Sequence, residues 1–205
     1  MLYTETVEPG TLGLLRRLMA DIILESFVLV GGTALSLQLG HRRSIDLNLF
    51  SLIDFNYSEI LSHLEDMSNK PVVIQQFKQT LTVEIEGIKL DFLRFRYPFT
   101  HNILNIDGIR LADIRDIACM KVDAIVGRGR KKDFYDLFYL LKFYSLEEII
   151  YWYQRMYNHS SLFHVYKSLT WFEDADMDAE LNTFDQNYNW EKVKNAILTE
   201  VNKSL

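Results

Sequence analysis

The chain has 205 residues, of which 48 % are hydrophobic and 13 % aromatic, enough length and apolar content for a packed core and outside the composition of disordered chains. A net charge of −6 argues against coating nucleic acid through bulk electrostatics, and a lone cysteine, Cys119, excludes a disulfide framework or cysteine-built zinc site within one chain and points to a reducing, cytoplasmic setting. The opening MLYTETVEPG lacks the basic-then-apolar layout of a secretory leader, and no run approaches the ~20 apolar residues of a bilayer span, so no membrane role is expected.

Leu12 to Leu24 alternates apolar and polar residues at helical spacing and predicts an amphipathic helix. Phe27-Val28-Leu29-Val30 is a fully apolar run that meets Gly31-Gly32, which reads as a buried strand ending in a tight turn. Thr33 to Leu39 follows as a short helix closed by Gly40, the residue favoured after a helix C-terminus. Strand, glycine turn and helix in succession present backbone amides to an anion. In Ser44–Phe50 the alternation places Ser44, Asp46 and Asn48 on one strand face and Ile45, Leu47 and Leu49 on the other.

A helix around Tyr57 to Met67 leads to three predicted strands, Val72–Phe77, Leu81–Ile85 and Ile88–Phe95, the last two joined by a tight turn at Glu86-Gly87. On the third strand Asp91 faces away from Leu90 and Phe92. From Asp113 onward the pattern is helical, with Ile114, Ile117 and Ala118, then Phe134, Leu137, Phe138 and Leu141, spaced three and four apart. Further helices are predicted at Leu146–Tyr157, Ser161–Leu169 and Trp190–Val201. Between Trp171 and Trp190 lie six acids and no base, and the stretch Glu173 to Asp185 reads as a solvated loop. The expectation is an α/β core with a mixed sheet over residues 1–110, followed by a helical region over 111–205 packed on it.

Transfer of a nucleotidyl group from a nucleoside triphosphate needs a divalent cation to neutralise the phosphates and activate the attacking oxygen. Magnesium takes oxygen ligands, commonly one or two carboxylates with phosphate oxygens and water. Two oxygen-bearing side chains two apart on one strand suit it, and a third carboxylate from a neighbouring strand can complete the shell or accept the hydroxyl proton. Asp46, Asn48 and Asp91 are the candidates. Gly31-Gly32-Thr33 supplies amides and a hydroxyl for phosphate at a helix start. A Gly-Gly-Thr turn alone is a weak signal. The combination with Asp46 and a later Leu-Asp-Phe strand is the informative one.

The segment from Val30 to Phe50, VGGTALSLQLGHRRSIDLNLF, resembles the first motif of the AbiEii/AbiGii toxin family of nucleotidyltransferases, and KVDAIVGRGRKKDFYDL from Lys121 to Leu137 is similar to that family's second conserved block. The resemblance implies a polymerase-beta-like, minimal nucleotidyltransferase fold and the toxin half of a bacterial toxin–antitoxin or phage-defence pair, with a cognate antitoxin as partner. It also implies a nucleoside triphosphate substrate, Mg2+ or Mn2+, and, as in some relatives, the 3′ end of transfer RNA as acceptor. By matching position, Thr33 contacts phosphate, Asp46 binds metal, Lys121 contacts the triphosphate and Asp133 lies in the second block near the site; the residue reading adds Gly31 and Gly32 for phosphate and Asp91 as ligand or base.

Other readings stand beside these. Lys121 and Arg128, seven apart on one helix face, are compatible with gripping phosphate oxygens, but without the family likeness the spacing favours solvent. Asp133 also suits a helix N-cap, and Asp136 could pair with a base. The basic run Arg128 to Lys132 is either an RNA contact or a solvated turn. The five histidines, His159 and His164 among them, lack metal spacing and read as structural, and the aromatics of the second half fall at core intervals. Where the family carries Asp-x-Asp, this chain has Asp46-Leu47-Asn48. That departure sets up a rival reading, a degenerate protein that binds nucleotide or a partner without turnover. A third reading is an antibiotic-modifying nucleotidyltransferase acting on a drug hydroxyl.

Overall fold

Alternating apolar residues and two-residue turns build the first half of the chain into a sheet. The computed structural model describes residues 1–67, 71–158, 161–185 and 188–204, so His159 lies outside the described residues. The chain divides into two compact units, Met1–Pro98 with Asn102–Ala112, and Phe99–His101 with Asp113–Leu205.

In the first unit, helix α1 (Pro9–Ala20), strand β1 (Phe27–Val30), helix α2 (Gly31–Leu39), strand β2 (Leu47–Ser51) and helix α3 (Tyr57–Met67) precede strands β3 (Val72–Phe77), β4 (Thr80–Ile85), β5 (Ile88–Arg94), β6 (Leu104–Ile106) and β7 (Ile109–Leu111). Among the described residues the strands form one seven-stranded sheet in the order β3-β4-β5-β2-β1-β7-β6. The sheet is mixed: β2 runs parallel to β5 and β1 to β7, while the remaining neighbours are antiparallel. All four residues of β1 are buried, as a continuous apolar run requires of a central strand.

Helix α1 ends earlier than its periodicity suggests. Asp21 takes an extended conformation, its carboxylate accepts from the Ile23 backbone N–H, and Ile22 and Ile23 are left exposed. A local side-chain bond of this kind competes with helix continuation. Arg110 of β7 then secures the approach to β1, its guanidinium donating to the backbone carbonyls of Phe27, Met19 and Leu24 at 2.7 to 2.9 Å.

Two hairpins turn on consecutive residues of positive φ. Glu86 (φ 55°) and Gly87 (φ 77°) join β4 to β5 as the sequence predicts, and Asp107 (φ 53°) with Gly108 (φ 78°) joins β6 to β7, where the sequence reading placed no strand. An Asp-Gly pair between Ile106 and Ile109 was the available signal.

The second correction concerns Ser44 to Asp46. The strand begins only at Leu47, because the preceding residues bond elsewhere: Ser44 N–H donates to Thr6 O, and the Thr33 hydroxyl engages Ser44 Oγ and the Asp46 carbonyl. Ile45 therefore stands in solvent at 64 % exposure, while Leu47 and Leu49 are buried as their alternation predicts.

The second unit is helical: α4 (Ile114–Arg128), α5 (Lys131–Leu140), α6 (Leu146–Met156), α7 (Leu162–Leu169), the single turn α8 (Glu173–Asp176) and α9 (Trp190–Ser204). Asp113 caps α4 through the Arg115 N–H, Gly129 ends it at φ 52°, and Ser145 with Glu148 forms a reciprocal cap on α6. The core includes Ile117, Cys119, Phe134, Tyr135, Leu137 and Tyr153, while Phe143, Tyr151, Phe163, Trp171 and Phe184 stand exposed.

The acidic stretch does more than face water. Asp178 accepts from Arg130 Nη1 and the Lys131 N–H, Lys131 Nζ donates to Asp178 O and Glu180, and Asp176 accepts from Trp190 Nε1. Segregated charges thus meet across the fold. His63 pairs with Asp21 in the first unit and His101 with Asp116 in the second, consistent with structural histidines. Among the described residues no helix is long and apolar enough to cross a membrane.

Candidate active site

Register brings the first candidate residues together. Val30 pairs with Asn48, Asn48 with Asp91 and Asp91 with Thr82, so one transverse row crosses β1, β2, β5 and β4 where β1 runs into Gly31. Cross-strand partners present their side chains on a common face. Gly31 adopts φ 71°, a left-handed conformation that disfavours side chains, and a Cβ there would come within 3.0 Å of Asn48 Nδ2. A Cβ on Gly32 would collide with Arg42 Nη2, and Arg42 is itself only 6 % exposed. Both glycines therefore admit side chains from β2 and its approach against the start of α2.

Asp91 is held on both carboxylate oxygens: Oδ1 accepts from Thr82 Oγ1 at 2.7 Å and Oδ2 lies 3.0 Å from Lys89 Nζ. Asp46, partly exposed, is fixed through its backbone, since the Thr33 hydroxyl donates to its carbonyl. Thr33 is fully buried and its hydroxyl is bonded to Ser44 and Asp46. It shapes the loop that carries Asp46.

The residues of the second motif gather within the second unit. Lys121 Nζ lies 2.9 Å from Asp133 Oδ1 and 2.6 Å from Asp136 Oδ2, and Arg128 contributes Nε to Asp133 Oδ2 at 3.0 Å. Lys121 and both carboxylates are buried, while Arg128 remains half exposed. Burial alone would push the Asp133 carboxyl up, but the Lys121 and Arg128 charges and hydrogen bonds hold it below the usual carboxylate range. Asp133 is not a cap: Arg130 occupies that position without a side-chain bond, and the Asp133 side chain faces the two bases. Lys121 does not face solvent, the outcome its sequence spacing alone favoured.

The profile of the family described as "Nucleotidyl transferase AbiEii toxin, Type IV TA system" matches residues 13–200. The chain belongs to this family. The "Uncharacterized protein aq_aa25" of Aquifex aeolicus (strain VF5) is 39 % identical over 158 residues, spanning 75 % of this chain and 77 % of that one. The crystal structure of JHP933 from Helicobacter pylori superposes with a TM-score of 0.55 at 19 % identity, over 96 % of this chain and 92 % of the other. The antibiotic-resistance factor ANT(2'')-Ia superposes with a TM-score of 0.56 at 14 % identity, over 74 % and 94 %. The polymerase-beta-like nucleotidyltransferase fold expected from the sequence is the fold of this AbiEii chain.

The candidate donors are all oxygen: the Asp46 and Asp91 carboxylates and the Asn48 amide. Hard divalent cations take such ligands, so the residues fit a magnesium or manganese ion. Among the described residues no group of three or more His, Cys, Asp or Glu stands ready for a metal. Three members of this AbiEii neighbourhood were not singled out in the sequence. Thr82 and Lys89 orient Asp91, and Arg42 lies over Gly32. Lys89 was findable, being two residues from Asp91 on the same strand face.

Proposed function

We propose that this AbiEii-family chain is a magnesium-dependent nucleotidyltransferase acting as the toxin of a toxin–antitoxin or phage-defence pair. The observation that carries the reading is the row Val30, Asn48, Asp91 and Thr82 beside the Gly31-Gly32 bend. Asp46 and Asp91 provide the carboxylates of the cation site, with the Asn48 amide beside Asp91. The cation, when bound, supplies charge neutralisation and activation of the acceptor oxygen. Gly31 and Gly32 offer backbone N–H groups at the start of α2 to the triphosphate, where the helix dipole favours an anion. Thr33 keeps the Asp46 loop in place. In the transfer, an acceptor hydroxyl oxygen bonds to the α-phosphorus, the bond to the bridging oxygen breaks, pyrophosphate leaves, and the hydroxyl proton passes to solvent. Lys121, buried and bound to Asp133 and Asp136 with Arg128 beside them, serves as a structural cation of the helical unit. The family likeness favours the 3′ end of transfer RNA as acceptor and a cognate antitoxin as protein partner.

The amide at position 48 favours a second reading, a protein that binds nucleotide without turnover. Incubation with each labelled triphosphate, Mg2+ and bulk transfer RNA separates the two. Label on RNA that is lost in Asp46→Ala supports the transferase, binding without product supports the degenerate reading, and label on an added small-molecule hydroxyl instead of RNA replaces the acceptor assignment.

A further inference from the structure

Strand β5 carries two opposite charges on the face that bears the candidate cation site. Lys89 and Asp91 are two residues apart, so both project on the face that carries Asn48 of β2. The lysine has a choice of partners, because Glu84 stands directly across from it on β4 and is exposed. The ion pair formed is with Asp91, at 3.0 Å, and not with Glu84.

We propose that Lys89 is a tethered counter-cation of the metal site, holding Asp91 Oδ2 in the metal-free protein and yielding it when a divalent ion binds. The proposal rests on the reading of Asp46, Asn48 and Asp91 as that site. Thr82 occupies Oδ1, so Oδ2 is the oxygen that the ammonium and a metal ion compete for. An ammonium and a divalent cation cannot share one carboxylate oxygen without strong repulsion. Displacement is feasible because the Lys89 side chain is 45 % exposed and Glu84 offers a new partner on the same face. The exchange of a carboxylate for an amide at 48 and the presence of Lys89 act in the same direction, both lowering the negative charge that attracts the ion. Lys89 is thus a positioning residue that sets metal affinity.

The test is titration of the full chain with Mn2+ alone, following free Mn2+ by electron paramagnetic resonance. Lys89→Met should bind Mn2+ about fivefold or more tightly than the parent, Lys89→Arg no more tightly, and Asp91→Asn should abolish the difference between Lys and Met at position 89. Lys89→Gln serves as the second variant should the methionine change disturb folding, which a circular dichroism melt reports. If Asp46→Asn weakens Mn2+ binding while Lys89→Met and Lys89→Gln leave it at the parental value, the counter-cation role is overturned and the site stands. If Mn2+ binding is absent, or indifferent to Asp46→Asn, the site itself falls and the proposal with it.

Discussion

Asn48 lies level with Asp91 on the neighbouring parallel strand, and placing an acid at position 48 is the most direct chemical test of the site. A unit charge at ~4 Å is worth roughly 4 kcal/mol at an effective dielectric of ~20, before its own desolvation is subtracted. Asn48→Asp should therefore tighten Mg2+ or Mn2+ binding at least about tenfold and raise labelled-nucleotide transfer; unchanged binding would place residue 48 outside the shell. Gly31 makes the opposite case, where nothing can be added. Its φ of 71° and the Asn48 side chain at 3.0 Å from a built Cβ predict that Gly31→Ala costs about 1–3 kcal/mol in urea unfolding. The buried cluster in the second unit is more sensitive still. Lys121→Met leaves Asp133 and Asp136 without their shared ammonium and should cost about 3–5 kcal/mol. Asp133 also dictates a pH dependence. Its carboxyl is held below the ordinary range by Lys121 and Arg128, so the stability it contributes is complete above the unfolded value of ~3.9 and is lost as pH falls through the folded value. The stability gap between the parent and Asp133→Asn should accordingly narrow between pH 7 and pH 3 in urea titrations.

Elements were legible wherever a local rule decides them. Phe27–Val30 is a strand because four apolar residues end at two glycines, and Gly40 and Gly129 close helices in the left-handed conformation that glycine tolerates. Of the candidate site, the pairing of Asn48 with Asp91 on neighbouring strands was legible, while the place of Asp46 before the strand was not. What failed was decided by partners distant in sequence. Nothing local in Ser44-Ile45-Asp46 reports that Thr6 and Thr33 will take its polar groups and delay the strand, and nothing near Lys121 reports that residues 133 and 136 will enclose it. Strand β3 raises a different question, because it closes the sheet order at one end with Val72, Val73, Ile74 and Phe77 exposed and no charged residue along it. A neutral apolar edge templates further strands. Ile74→Lys should slow aggregation on heating, read by light scattering, while shifting stability by no more than about 0.5 kcal/mol.

For the chain as a whole, occupancy of the site should appear as added stability. A nucleoside triphosphate with Mg2+ at about 100 times its Kd adds ~2.7 kcal/mol, which for a protein of this size corresponds to a rise of about 5–10 °C in Tm. Asp46→Ala should remove that rise, and its persistence would move the nucleotide elsewhere. The way the two units share the backbone has a separate consequence. Phe99–His101 belongs with the helices although residues on both sides of it belong with the sheet, and the segment is anchored by Asp116, which accepts from the Thr100 and His101 N–H groups and from His101 Nδ1. A chimera that grafts the helices of a homologue at residue 113 would splice a foreign acceptor beneath a native tripeptide. Recombination between relatives is therefore constrained to exchange that tripeptide together with the helices.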